Sequence, residues 1–292
     1  SRTPGVFLVL SSLVNIGLDL LFIVRLGMGV EGAAWATVIS QGLSGILCLI
    51  FMIKKFEILR IRKEEWKPEL HMMGSLCGMG IPMGLQYSIT AIGSVVLQTA
   101  VNGLGSMAVA SVTAANKIGG FLACPFDAMG STMATYGGQN VGAKKLLRVK
   151  QGMYACIKLG AAYAVIAFLV AFFFGAPLGR LFIEAKDAAL AETIVENVRL
   201  FLMITTAFYF PLALVNIIRF MIQGIGFPTF AILAGVLEMV ARALAGFVLV
   251  PLFGFPAAAM GSPIAWIFAD AFLIPAFFHV YKKLRLQLGE EA

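Results

Sequence analysis

Histidine is almost absent from this chain, with two in 292 residues, His71 and His279. That scarcity removes most imidazole-based hydrolysis, because a general base must stand within hydrogen-bond reach of the proton it takes. The stretch GLSG at 42–45 has the G-x-S-G form of intramembrane serine proteases, but Ser44 is expected mid-span and both histidines at span ends. Packing of small residues between helices explains it instead. Cysteine is scarce too, and Cys48, Cys77, Cys124 and Cys156 stand apart without C-x-x-C spacing. Neither a disulfide framework nor a thiolate metal site follows, and they read as small core hydrophobes. No Walker loop, dinucleotide-binding glycine turn or HExxH occurs, so no cofactor is expected and ATP-driven chemistry has no support. GGQNVGAKK at 137–145 reads as a loop with helix-stop glycines and a basic flank rather than a phosphate cradle. Strand-like alternation of apolar and polar residues is missing, as is a cleavable signal peptide. The chain does not read as an enzyme.

Charge is the remaining shortage. Charged residues make up 13% of the chain and hydrophobic ones 60%, and the mean hydropathy of +0.92 does not describe a water-soluble domain. The apolar runs are about 20 residues or longer, enough for a helix rising 1.5 Å per residue to cross roughly 30 Å of hydrocarbon. Eight spans are expected, at about 4–25, 31–53, 72–101, 107–136, 153–174, 191–221, 229–250 and 257–281. The fold class is therefore an all-α polytopic membrane protein with lipids as its surroundings. The net charge of +7 does not point to nucleic acid, because Lys and Arg gather in alternate loops. One loop holds Lys54, Lys55, Arg60, Arg62, Lys63 and Lys67, another Lys144, Lys145, Arg148 and Lys150, and the tail Lys282, Lys283 and Arg285; the intervening loops carry Arg25, Arg180 and Lys186. This is the positive-inside pattern, which places both termini in the cytoplasm and the chain in the cell's inner (plasma) membrane.

Polar residues inside the spans carry the functional signal. SLVNIGLDLLFI at 12–23 sets Asn15 and Asp19 four apart, one above the other on a helix face. An ionised carboxylate deep in a span costs roughly 2.5–3.5 kcal/mol on insertion scales, so Asp19 needs a partner or a proton and function is the default reading. Glu238 and Arg242 are also four apart and read as a structural ion pair. Lys117 and Asp127 are about 15 Å apart along one helix, too far for a direct bond, and read as groups facing a wet cavity. Gln86 follows Pro82, whose kink is expected to turn it toward a central cleft.

The stretch from Pro4, PGVFLVLSSLVNIGLDLLFIVRLGMGVEGAAWATVIS, resembles that from Pro228, PTFAILAGVLEMVARALAGFVLVPLFGFPAAAMGSPIA. Each pairs a Pro-led helix with an Ala-rich return helix and closes on a Lys-Lys pair, as internal repeats of transporters do. If the repeat ends with this hairpin, helices three to eight form one six-helix unit and helices one and two end a preceding one, with four helices expected ahead of Ser1. In this order and spacing, NIGLD, GMGVEGAAWAT, GIPMGLQ, GGQNVGAKKLLRVK and IQGIGFPT resemble the multidrug and toxin extrusion (MATE) transporters.

The resemblance implies part of a twelve-helix, two-lobe, inverted-V transporter: residues 1–55 as the last two helices of the N-terminal lobe, 56–71 as a cytoplasmic inter-lobe linker, and 72–292 as the six-helix C-terminal lobe. It further implies a cation site in the first lobe, matched here by Asn15, Asp19 and Thr37, with another carboxylate on a preceding helix. Asp19 and Thr37 each lie about nine residues from Met28, so an antiparallel hairpin puts both about 13 Å from the turn. Second-lobe acidic positions of one branch fall on Thr90 and Leu212, so coupling is expected through the first lobe. The function implied is antiport, with H+ or Na+ driving an amphipathic, cationic small molecule outward and the missing N-terminal helices of the same transporter as partner. The alternatives are a lipid or lipid-linked oligosaccharide flippase, which Lys117 favours, and an inactive scaffold. Gln86, Lys117 and Asp127 are the substrate-cleft candidates.

Overall fold

The computed structural model describes residues 2–57, 68–182 and 188–288. No strand occurs among them. The basic residues Arg60, Arg62, Lys63, Lys67 and Lys186 lie outside the described residues. The chain divides into two compact units, Ser1–Leu70 and His71–Ala292.

The first unit is a helical hairpin. Helix α1 (Arg2–Asp19) runs on through a wide-turn π segment, Leu20–Arg25, and α2 (Gly29–Lys55) returns. Gly27 (φ 65°) and Gly29 (φ 57°) make the connection in left-handed conformations that side chains disfavour. Beyond it the helices close tightly, since a Cβ on Gly32 would lie 3.0 Å from Phe22 Cβ. Two serines then fasten the pair: Ser11 Oγ donates to Ser40 O (3.2 Å) and Ser44 Oγ to Phe7 O (3.0 Å). Ser44 thus holds helices together, as expected of GLSG.

The second unit holds α3 (Leu70–Asn102), α4 (Ser106–Gly142), α5 (Leu146–Leu181), α6 (Ala188–Ala207), α7 (Tyr209–Gly224), α8 (Pro228–Leu244), the short α9 (Val250–Phe253) and α10 (Phe255–Leu288). Among the described residues seven helices are long and apolar enough to cross a membrane, and α6 with α7, bent by 51° at their junction, makes up to eight when taken as one span. The break divides the apolar core. Val198, Phe201 and Leu202 of α6 pack with Val112, Ala115 and Ile118 of α4, whereas Ile217, Met221 and Ile222 of α7 pack with Phe126, Met153 and Phe277. Phe126 and Trp266 meet the ring of Tyr209 edge-on at 5.5 and 6.1 Å.

Two expectations are corrected here. GGQNVG is helical to Gly142, and only Ala143–Lys145 turn, with Lys144 at φ 56°. Gly137 and Gly138 serve close packing rather than helix termination, since a Cβ on Gly138 would stand 3.0 Å from Gly224 O, whereas Gly142, with nothing within 4 Å, ends the helix. Of the cysteines, only Cys156 is buried, while Cys77 and Cys124 are exposed.

Candidate functional site

The α1–α2 hairpin carries a polar groove of about 440 Å3 lined by Ser11, Ser12, Asn15, Thr37, Gln41 and Ser44. Asn15 Nδ2 donates across it to Thr37 Oγ1 at 3.5 Å, and Thr37 Oγ1 donates to Ala33 O at 2.9 Å, a local back-bond. The hairpin register therefore sets Thr37 level with Asn15. Asp19 lies about 6 Å further along α1, one turn nearer the connection. The expected equal depth of Asp19 and Thr37 does not hold, because the wide π segment after Asp19 takes up residues that a regular helix would have spent on length. Asp19 Oδ1 is buried without a hydrogen-bond partner. One hairpin thus offers a carboxylate oxygen, a carboxamide and a hydroxyl in two successive layers, a donor chemistry that suits a hard cation or a proton. Among the described residues no cluster of three or more His, Cys, Asp or Glu side chains forms a metal cage.

Lys117 and Asp127 are both exposed on α4, and neither makes an ion pair among the described residues. They share a stripe at helical spacing with Thr113, Asn116, Cys124 and Ser131, all exposed, which one exposed aromatic, Phe121, interrupts. The open face of α5 is its opposite: Leu159, Val165, Ile166, Leu169 and Phe173. A membrane helix whose open face is polar is built to face water or a polar solute, and one whose open face is aliphatic is built to face lipid.

Gln86 is not part of that stripe. It is buried, its Nε2 donating to Thr90 Oγ1 (3.4 Å) while its Oε1 accepts from Gln223 Nε2 (3.3 Å). The cause is close packing of α3 on α8, where a Cβ on Gly235 would stand 3.3 Å from Gln86 Cγ. The two places expected for second-lobe acids hold this Thr90 and a partly buried, core-packing Leu212.

Beside Gln223 lies a set of charges that sequence reading found only in part. Glu238 pairs through Oε2 with Arg242 Nη2 (3.2 Å), as its spacing predicts, and through Oε1 with Arg219 of α7. The Arg219 and Glu238 side chains are 7% and 3% exposed. Asp270 of α10 is buried as well and interacts electrostatically with Arg219. No i, i+4 signal links Arg219 or Asp270 to a partner; the available signal was their position inside apolar runs, which by itself marks a charge that needs one.

Comparison with known proteins agrees with this architecture. The MatE family matches residues 82–248. The chain is 29% identical over 230 residues to a probable multidrug resistance protein, YpnP, of Bacillus subtilis (77% of this chain, 48% of that protein). It is 27% identical over 194 residues to an FAD transporter of Shewanella oneidensis (62% and 41%). The chain thus spans about half the length of the curated relatives it matches. A crystal structure of MATE in complex with MaL6 superposes with a TM-score of 0.87 at 21% identity, covering 96% of this chain and 63% of that one, which shows a shared fold. All-α, with up to eight apolar spans, this integral membrane protein belongs to the MatE family.

Proposed function

We propose that the chain is part of a cation-coupled exporter, in which H+ or Na+ bound at Asp19 with Asn15 and Thr37 drives an amphipathic, cationic compound outward along the polar face of α4. The observation that carries the reading is the unpartnered Asp19 carboxylate oxygen one turn from the Asn15–Thr37 pair, within a membrane hairpin. A half-buried carboxylate with one enclosed oxygen lacking a hydrogen bond is a poor structural element and a good cation ligand. The relatives named for multidrug resistance support a drug-like cargo. Lys117 and Asp127 present one charge of each sign on α4, which suits an amphipathic cation better than the lipid phosphate of a flippase.

In this reading residues 1–55 end one lobe, 56–71 link it to the next, and 72–292 form the other, with both termini of the chain cytoplasmic in the plasma membrane. Binding drives transport only where it stabilises one conformation more than another, so the cation must leave Asp19 in the opposite state. The test is gradient-driven efflux from proteoliposomes holding the polypeptide together with the proposed first-lobe helices. Asp19→Asn should insert and fold yet lose the response to an imposed pH or Na+ gradient. Export at the parental rate with unchanged gradient dependence would show that the face is packing, and loss of membrane insertion would point to the scaffold alternative.

A further inference from the structure

Apart from Asp19 Oδ1 and the Arg219 Nη2 and Glu238 Oε1 atoms that pair with each other, the buried side-chain atoms without hydrogen-bond partners among the described residues all lie at the α7–α8–α10 junction: on Arg219, Gln223, Arg242 and Asp270. Buried polar groups are nearly always satisfied, so a concentration of unsatisfied ones marks a place where something polar belongs. Arg219 Nε, Arg242 Nε and Nη1 are donors, whereas Gln223 Oε1 and Asp270 Oδ1 are acceptors. A mixed set of this kind, on side chains over nine-tenths buried, is what bridging water requires, since each water donates and accepts.

The charges add a second feature. Both oxygens of Glu238 are committed, one to Arg219 and one to Arg242. Asp270 has no such commitment, although Arg219 faces it. With both carboxylates ionised, two guanidinium groups are balanced and the junction is neutral. With a proton on Asp270 the junction carries one positive charge, and Arg219 is left to Glu238 alone. Each state relieves one cost and incurs another: the ionised one leaves a carboxylate oxygen unsatisfied, and the protonated one leaves a charge unbalanced.

Arg219 of α7 is the charge that acts on Asp270; its own partners are Glu238 of α8, which also pairs with Arg242, and Tyr87 of α3 interacts with Arg219 electrostatically. The charged residues of α6, Glu192, Glu196 and Arg199, are exposed elsewhere, and His279 of α10 stands further along its helix against the Phe230 ring.

We propose that this junction is a hydrated proton-binding site centred on Asp270, with Arg219 as the counter-ion that Asp270 shares with Glu238. The step is a proton transfer: a hydronium proton relayed through internal water adds to the Asp270 carboxylate, the donor's O–H bond breaking as the carboxylic O–H forms, and a neutral water is left behind. Its consequence is mechanical. In the ionised form Asp270 on α10 attracts Arg219 on α7, and in the protonated form that attraction is lost while the Glu238 contact to α8 remains. This site lies in the second unit and stands or falls independently of Asp19.

The test is pH-difference infrared spectroscopy of the purified chain in lipid, reading the carboxylic-acid C=O band. The unaltered protein is compared with protein labelled with 13C at the aspartate side-chain carboxyl, which needs no mutation to fold. The band should shift on labelling, move on exchange into D2O, vanish in Asp270→Asn, and reappear at an unlabelled glutamate position in Asp270→Glu. It should persist in Asp19→Asn, whose efflux defect tests the other site. A band that ignores the aspartate label, or one that is unchanged in Asp270→Asn, overturns the proposal.

Discussion

Replacing Gly224 by alanine tests the packing between α4 and α7 directly. A Cβ there would lie 2.2 Å from Ala134 O, 2.5 Å from Ala134 Cα and 2.7 Å from its carbonyl carbon. All three are backbone atoms, so no rotamer change makes room, and one helix has to move. The same seam is tight at Gly130, whose Cβ would meet Phe220 Cδ2 at 2.8 Å, and at Gly137, where Met221 Sδ is 2.5 Å away. Small residues at this spacing are what allow membrane helices to approach closely. Overpacking costs about 1–3 kcal/mol and belongs at the upper end where the obstacle is backbone. Alanine returns up to about 1 kcal/mol of helix propensity. The net is a loss of about 2 kcal/mol, roughly thirtyfold in the folded-to-unfolded ratio, since about 1.4 kcal/mol is tenfold. Gly120→Ala is the matched control, because Gly120 is inside α4 with nothing within 4 Å of an added Cβ. It should be neutral or stabilise by up to about 1 kcal/mol. Reversible unfolding of the purified chain in bicelles, with SDS as denaturant, measures both. If Gly224→Ala proves as stable as Gly120→Ala, the close α4–α7 approach is refuted.

Three further outcomes are expected. Glu238→Ala leaves Arg219 and Arg242 buried without their shared carboxylate and should cost about 3–5 kcal/mol in the same unfolding assay; a loss below about 1 kcal/mol would mean the ion triad is not closed. Cys124, on the polar stripe of α4, should react with a water-soluble maleimide in the folded protein while buried Cys156 reacts only after denaturation, and the reverse order would contradict the assignment of faces. In a variant stripped of its native cysteines, a single cysteine in the α3–α4 turn at Gly103 and one in the α4–α5 turn at Lys144 should label from opposite sides of the membrane, Lys144 from the cytoplasm; labelling from one side removes the proposed topology.

How much could be read from the sequence divides along the range of the interaction. The spans were legible because hydropathy is a local sum, and Glu238–Arg242 because four residues bring side chains onto one helix face. The hairpin of Asn15 and Thr37 was legible to within one turn, the error being the wide π segment at Leu20–Arg25, which no composition announces. Arg219 and Asp270 went unremarked because their counterparts stand on other helices, and one-dimensional periodicity carries no information about contacts between helices. Gln86 was misplaced for the same reason: Pro82 says that a helix can bend but not toward what. The glycines of GGQNVG were taken for helix stops because glycine weakens a helix. The close contact with α7 that requires Gly137 and Gly138 is invisible until both helices are present.

The break at Phe208 gives the second unit a division of labour. Across it the main chain is held by Phe208 N–H on Thr205 O (3.1 Å) and Leu212 N–H on Phe208 O (3.3 Å), with Thr205 and Thr206 bonded back into α6. A straight rod transmits a push along its length, whereas a rod broken at one residue converts it into a change of angle. Since α6 is seated in one apolar core and α7 in the other, a repacking of either is felt by its neighbour as tilt rather than thrust. The span is an elbow rather than a rod, and its 51° bend sets the angle at which the two cores meet.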